Sequence, residues 1–235
     1  MKTDKQFKEW LAGLIDGDGC FLLSKKGYGS LEITVDVRDI YCLSVIKQRY
    51  GGSIKLRAGT KSIRYRLHHK KGLVFILTDL NGLLRHSIRL LQFNKLCIVY
   101  SILILDSNIL SFNSNWMAGF FDADGAVSIN STTYQLSLSI SQKTKELLSP
   151  LMTLYGGNIY IDRSSNTFCW YITKKETLLL LVNHYFKNVY VYSKKRNRLF
   201  LIEEYYNLIN LKKEKHPFFN KLWIIFFKKW SSYSK

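Results

Sequence analysis

Apolar positions along the chain change period in a repeating order. Phe7, Trp10, Leu11, Leu14 and Ile15 recur at helical spacing, with Thr3 or Asp4 placed to cap the first turn. Leu31, Ile33, Val35 and Val37 then alternate with Glu32, Thr34, Asp36 and Arg38, the period of a half-buried strand, after a turn at Gly27 and Gly29. Asp39 is expected to cap a helix that ends at Tyr50-Gly51-Gly52. A second hairpin should turn near Gly59, with Lys55 and Arg57 on one flank and Arg64, Arg66 and His68 on the other, at alternate positions. The same order returns in the second half. Leu136, Leu138 and Ile140 alternate with serines, Thr144 is expected to cap a helix, and Ser164-Ser165-Asn166 to make a turn. Each half therefore reads α-β-β-α-β-β-α.

The halves also share letters. Residues 10–19 read WLAGLIDGDG and residues 116–125 read WMAGFFDADG; Tyr50-Gly51-Gly52 is echoed by Tyr155-Gly156-Gly157. Two echoes in the same order mark an internal duplication. The units predicted are residues 1–105, a Ser/Asn-rich linker over 106–115, and 116–235, the last closing on a basic, aromatic stretch from Lys212 to Lys235 expected to pack as a final helix with basic edges.

Ala12-Gly13 and Ala118-Gly119 weaken a helix but let another backbone come close. The two motif helices are thus expected to pack on each other across a pseudo-twofold axis and to end together. Each ends in Asp-x-Asp-Gly. Carboxylates at a helix C-terminus oppose its free carbonyls and negative dipole end, and two adjacent ends double the conflict. A divalent cation resolves it, and carboxylates with carbonyls suit Mg²⁺. The simpler alternative is that the acids only end a helix and that Gly19 is its left-handed cap.

Charge narrows the partner. The chain has 235 residues and a formal net charge of +18, and dividing it at residue 110 leaves 18 basic against 9 acidic residues, then 17 against 8. A basic surface spread evenly over both halves suits a long polyanion. The four cysteines, Cys20, Cys42, Cys97 and Cys169, form no CxxC pair, and the histidines form no zinc motif, so oxygen must hold any metal. No apolar run approaches a membrane span, and the first ten residues show neither a signal nor a transit peptide pattern. Phe, Tyr, Met, Ile, Asn and Lys total 92 against 31 for Gly, Ala, Arg and Pro, the skew of A/T-rich codons. Together these suggest a protein encoded and made inside an organelle, a mitochondrion or chloroplast, although an A/T-rich bacterium or phage would give a similar skew.

LAGLIDGDG at residues 11–19 and MAGFFDADG at residues 117–125 resemble the signature of the LAGLIDADG homing endonucleases, in the single-chain, two-repeat form. The resemblance implies an α+β fold of two αββαββα repeats whose sheets form a basic saddle over DNA. It implies that Asp18 and Asp124 are metal ligands and catalytic, helped by the carbonyls of Gly17 and Ala123, and that Asp16 and Asp122 are structural. The ion would be Mg²⁺ or Mn²⁺, with Ca²⁺ binding without supporting cleavage. The reaction would be hydrolysis of one phosphodiester per strand, leaving 3′-hydroxyl and 5′-phosphate ends, by a monomer on double-stranded DNA.

The family's lysine after the second hairpin is matched by Lys195 and more weakly by Lys95; its polar residue at the end of the second strand is matched by Gln142, with Val37 at the first-repeat equivalent. Expected DNA contacts are Lys25, Lys26, Lys55, Arg57, Arg64, Arg66 and His68 from the first half. Asn130, Asn158, Tyr160, Arg163 and Tyr171 are expected from the second. The arginines should favour guanine under the first half. Two rivals remain at this point: an intron maturase acting on its own RNA, and a non-catalytic DNA-binding regulator of the same fold.

Overall fold

The computed structural model describes residues 3–232. Two helices cross at its centre, α1 (Asp4–Asp18) and, after the linker, the shorter Trp116–Asp124. Thr3 begins α1 with a reciprocal cap: its hydroxyl accepts from the Gln6 N–H at 3.3 Å, and the Gln6 side chain accepts from the Thr3 N–H at 2.9 Å. The motif helix is not amphipathic where it matters. Trp10 to Asp16 are buried in an unbroken run, as are Trp116 to Asp122, because each helix has the other on one side and a sheet on the other.

The first repeat continues with β1 (Gly19–Leu23), β2 (Gly29–Asp36), α2 (Ile40–Tyr50), β3 (Ser53–Leu56), β4 (Ser62–Leu67), α3 (Lys70–Leu80) and α4 (Ser87–Val99). The second runs α5 (Trp116–Asp124), β5 (Gly125–Ile129), β6 (Leu136–Gln142), α6 (Leu148–Tyr155), β7 (Asn158–Asp162), β8 (Thr167–Ile172) and α7 (Lys175–Leu180). A π-helical turn at Leu181–Phe186, α8 (Lys195–Leu199), α9 (Ile202–Lys213) and α10 (Phe219–Ser231) complete it. The sheets are antiparallel and ordered β1-β2-β4-β3 and β5-β6-β8-β7. Both Tyr-Gly-Gly echoes are left-handed turns between helix and strand, with φ of 78° and 87° at Gly51 and Gly52 and 74° and 85° at Gly156 and Gly157.

The structure departs from the sequence reading in four local respects. Each repeat carries helices beyond αββαββα, because the chain breaks after the second hairpin helix and restarts as α4 or α8. Val37 lies past the end of β2. Thr144 caps nothing: α6 begins at Leu148, with Pro150 in its first turn, where a missing N–H does no harm. Asp39 stands at the start of α2, but its side chain makes no cap there.

The connection from Tyr100 to Asn115 contains neither helix nor strand. The basic, aromatic end does pack: Phe226 and Trp230 are buried, Trp223 lies against Tyr134 at 5.6 Å, and Arg198 sits 4.9 Å over Trp230. Its last residues, 233–235, lie outside the described residues. Among the described residues no helix is long and apolar enough to cross a membrane.

Candidate active site at the paired helix ends

The motif helices touch backbone to backbone. A Cβ on Gly13 would collide with the Trp116 carbonyl and stand 2.7 Å from the Phe120 nitrogen. A Cβ on Gly119 would collide with the Trp10 carbonyl and stand 2.8 Å from the Leu14 nitrogen. Only glycine permits this approach at either place.

The contact brings the acidic ends together. A Cβ on Gly17 would lie 2.7 Å from the Asp124 Oδ2, so the two Asp-x-Asp tips abut. Asp18 is partly buried, and burial, then the neighbouring Asp124 charge, lifts its carboxyl to about 7. Burial also raises Asp124, against the Lys195 charge and a 2.7 Å hydrogen bond from the Gln142 amide. Gly19 and Gly125 follow at φ of −88° and −73°, which excludes the left-handed cap reading.

Asp16 and Asp122 do different work. Trp10 Nε1 donates to Asp122 at 2.8 Å and Trp116 Nε1 donates to Asp16 at 2.7 Å, each across the repeat boundary. Asp16 also accepts from the Arg85 and His86 N–H groups at 2.8 and 3.1 Å. Asp122 accepts from the Tyr192 and Ser193 N–H groups at 2.8 and 3.2 Å, and from the Ser193 hydroxyl at 2.5 Å. These bonds fix where the chain restarts after its break.

The restart carries cations to the tips. Lys195 Nζ donates to the carbonyls of Phe121, Asp122 and Ala123 at 3.3, 2.8 and 2.6 Å, offsetting the negative end of α5. The bonds to Asp16 and Asp122 make Ser87 equivalent to Lys194, so Ile88 takes the place of Lys195 in the first repeat. The cation there is Arg89, whose charge acts on both Asp18 and Asp124. Lys95 is not brought to the site: it is solvent-exposed on α4, six residues and about 240° round from Arg89.

The strand ladders also correct the partner of Gln142. Gly19 pairs with Ile33 and Gly125 with Ile140, so the first-repeat equivalent is Val35, not Val37. Val35 is buried and apolar. The polar group beside Asp18 is instead Asp39, whose negative charge opposes ionisation of Asp18.

The acids and carbonyls at the tips fit a hard divalent ion. Two carboxylates meet where a second negative charge is unfavourable, and among the described residues nothing donates a hydrogen bond to Asp18. No cluster of three His, Cys, Asp or Glu side chains exists among the described residues, so a hard ion held by these two carboxylates would complete its shell with main-chain, water or phosphate oxygens.

The outer sheet faces differ as their sequences do. Lys25 and Lys26 project from the β1–β2 turn, and Lys55, Arg57, Arg64, Arg66 and His68 line one groove of 520 Å³. Arg64 and Arg66 are not free: Glu32, opposite Arg66 in the ladder, binds them at 3.0 and 2.5 Å. On the second sheet Asn158 is paired with Tyr171, and Tyr160 packs edge-on to Tyr171 at 5.1 Å. Arg163 is exposed in the β7–β8 turn. Asn130 spends its Oδ1 on the Thr132 and Thr133 N–H groups at 2.9 and 2.8 Å, which holds the β5–β6 turn.

Two pseudo-twofold αββαββα units, joined by close-packed helices that end in paired acids, define a two-repeat LAGLIDADG protein. The sequence profile described as LAGLIDADG endonuclease matches residues 11–100 and again 117–206, and the chain belongs to that family. Over 97% of its length it is 40% identical to the intron-encoded RNA maturase bI4 of Saccharomyces cerevisiae and 37% identical to the probable intron-encoded endonuclease aI2 of Debaryomyces hansenii, spanning 37% and 38% of those proteins. It is 36% identical to the intron-encoded DNA endonuclease ai2a of Dictyostelium discoideum, spanning 97% of this chain and 76% of that protein. The fold matches the LAGLIDADG meganuclease I-CpaMI, solved bound to uncleaved DNA, with a TM-score of 0.68 at 18% identity over 94% of this chain and 97% of that one.

Proposed function

We propose that the chain is a site-specific homing endonuclease. It hydrolyses one phosphodiester on each strand of a long asymmetric DNA target and leaves 3′-hydroxyl and 5′-phosphate ends. The observation that carries this is the meeting of Asp18 and Asp124 at the tips of two abutting helices, beside Lys195 and between two sheets. Asp18, Asp124 and the carbonyls of Gly17 and Ala123 would hold Mg²⁺ or Mn²⁺, with the Lys195 ammonium releasing the Ala123 carbonyl that it holds at 2.6 Å, and Ca²⁺ would fill the site without supporting cleavage. Such ions, when bound, activate water and stabilise the leaving oxygen.

The protein's own groups then divide the task. Gln142 holds the Asp124 carboxylate in one orientation through its 2.7 Å bond. Lys195 and Arg89 supply positive charge where phosphate oxygens gain negative charge in the transition state. The first sheet reads its half-site through Lys55, Arg57, Arg64, Arg66 and His68, with Lys25 and Lys26 on phosphate. The second uses Asn158, Tyr160, Tyr171 and Arg163, and the amide NH₂ of Asn130. Unrelated faces imply unrelated half-site sequences, read by a monomer that carries both repeats. The A/T-skewed composition and the intron-encoded relatives support synthesis inside an organelle.

A screen of a randomised double-stranded DNA library with Mg²⁺ tests this reading. Asp18→Asn or Asp124→Asn should abolish cleavage and leave binding nearly unchanged. Retained cutting by both variants would end the proposal. The yeast maturase relative favours a second activity, assistance to intron RNA folding, which a splicing assay with the Asp18→Asn protein would separate from DNA cleavage.

A further inference from the structure

The two repeats exchange one more pair of bonds. Asp39, after β2, accepts from the Lys194 N–H at 2.7 Å. Glu146, after β6, accepts from the Ser87 N–H and hydroxyl at 2.9 and 3.0 Å. Both acids stand six positions beyond the residue that pairs with the motif glycine, Ile33 for Asp39 and Ile140 for Glu146. They are therefore equivalent under the pseudo-twofold axis, although one is Asp and the other Glu.

Their donors are equivalent too. In each repeat the restarting chain offers consecutive N–H groups. Those of Arg85 and His86 go to Asp16, and that of Ser87 goes to Glu146. Those of Tyr192 and Ser193 go to Asp122, and that of Lys194 goes to Asp39. Two N–H groups in each set donate to the acid of the repeat's own motif, and the third donates to an acid of the opposite repeat. The residue after Lys194 is Lys195. Arg89 follows two after Ser87.

We propose that Asp39 and Glu146 are positioning residues, each fixing the site cation of the other repeat, Asp39 for Lys195 and Glu146 for Arg89. This rests on the endonuclease reading. A carboxylate bonded to the N–H next to Lys195 sets the origin from which that side chain reaches the α5 carbonyls and the scissile phosphate. A displacement of about 1 Å at such a place can cost about 100-fold in rate. Asp39 is buried and Glu146 is exposed, where water competes for the same N–H, so Asp39 carries the larger effect. The arrangement also makes each half-site depend on the other repeat.

Single-turnover cleavage with Mg²⁺, the full chain in saturating excess over target DNA and each strand separately labelled, tests this. Lys195→Met identifies the strand that Lys195 serves. Asp39→Ala is expected to slow that strand by about 30-fold, with the other strand and DNA affinity within about 2-fold. Asp39→Asn, whose amide oxygen can accept the same N–H, recovers most of the loss. In a double-mutant cycle Asp39→Ala adds nothing to Lys195→Met and adds its full factor to Arg89→Met. Equal slowing of both strands, independent multiplication with Lys195→Met, or no advantage of Asn over Ala would overturn the positioning role while wild-type cleavage stands. Should Asp39→Ala not fold, as judged by DNA binding and near-ultraviolet circular dichroism, Asp39→Ser serves in its place, its hydroxyl being too short to reach Lys194. Absence of wild-type cleavage on any target would instead remove the endonuclease reading, and the proposal with it.

Discussion

Trp10 Nε1 donates a 2.8 Å hydrogen bond to Asp122, a residue 112 positions away in the other repeat. Trp116 returns the bond to Asp16. Both acids are buried, and burial raises the carboxyl of each while the donors around it pull the other way. Trp10→Phe keeps an aromatic ring but removes the indole N–H from a buried carboxylate and leaves a small cavity; the lost donor alone should cost about 1–3 kcal/mol. Chemical denaturation checks it. Trp10→Phe with Asp122→Asn should cost less than the sum of the two, and strict additivity would refute the coupling.

The frame of the molecule was readable because several local signals agreed. The duplicated motif, the alternating strand residues and both Tyr-Gly-Gly turns predicted the repeat order, and Ala-Gly in each motif predicted the close helix contact. What was not readable depends on register between distant segments. Val35 rather than Val37 is the first-repeat equivalent of Gln142 because a strand ladder, not a count along the chain, sets equivalence. Lys95 looked suitable in its local letters, but helical geometry turns it away and presents Arg89. Asp39 looked like a helix cap, while its carboxylate is committed to another repeat. An acid at the same place in both halves was the available signal, and it becomes visible only once the ladders align Asp39 with Glu146.

Gly13 and Gly119 set how closely the motif helices approach. Gly13→Ala drives a methyl group into the Trp116 carbonyl, a rigid backbone atom that cannot swing aside. The expected cost is about 3 kcal/mol or more, at the upper end of overpacking effects. Gly59→Ala is the control. Its φ is 72° and nothing lies within 4 Å of an added Cβ, so only the left-handed backbone, at about 1 kcal/mol, is at issue. Thermal melts of the two variants should differ widely. Equal melting temperatures would show that the helices can separate at little cost.

Stability without metal should fall as pH rises from about 4 to about 7 and level off above. The Asp18 carboxyl is lifted to about 7 from its ordinary 3.8, first by burial and then by the Asp124 charge. The folded protein thus holds this proton more tightly than the unfolded chain. Stability is greatest at acid pH with respect to this group and declines between about 4 and about 7. Asp18→Asn abolishes the ionisation. It should raise the metal-free melting temperature at pH 8 by a few degrees, corresponding to about 1–2 kcal/mol, and leave it unchanged near pH 4. Mg²⁺ should stabilise the wild type at pH 8 and the variant far less. Calorimetry with and without chelator checks both, and an identical pH slope in wild type and variant would contradict the assignment.

If the first sheet reads DNA as proposed, Glu32 should control how its arginines meet the bases. Its two oxygens hold Arg64 and Arg66 at 3.0 and 2.5 Å, so one negative charge serves two guanidinium groups and fixes both forks above the sheet. A fixed fork discriminates between base edges, whereas a free arginine finds the nearest phosphate. Glu32→Gln removes the charge and loosens both forks. Binding to non-target DNA should tighten, and its salt dependence should steepen by about one released ion, a slope change of roughly 0.9 in log–log form. Binding to the target should change less, so the ratio of target to non-target affinity falls. Fluorescence anisotropy titrations across a range of KCl concentrations measure both slopes. If Glu32→Gln left the salt slope and the affinity ratio where the wild type has them, these arginines would not be facing the nucleic acid.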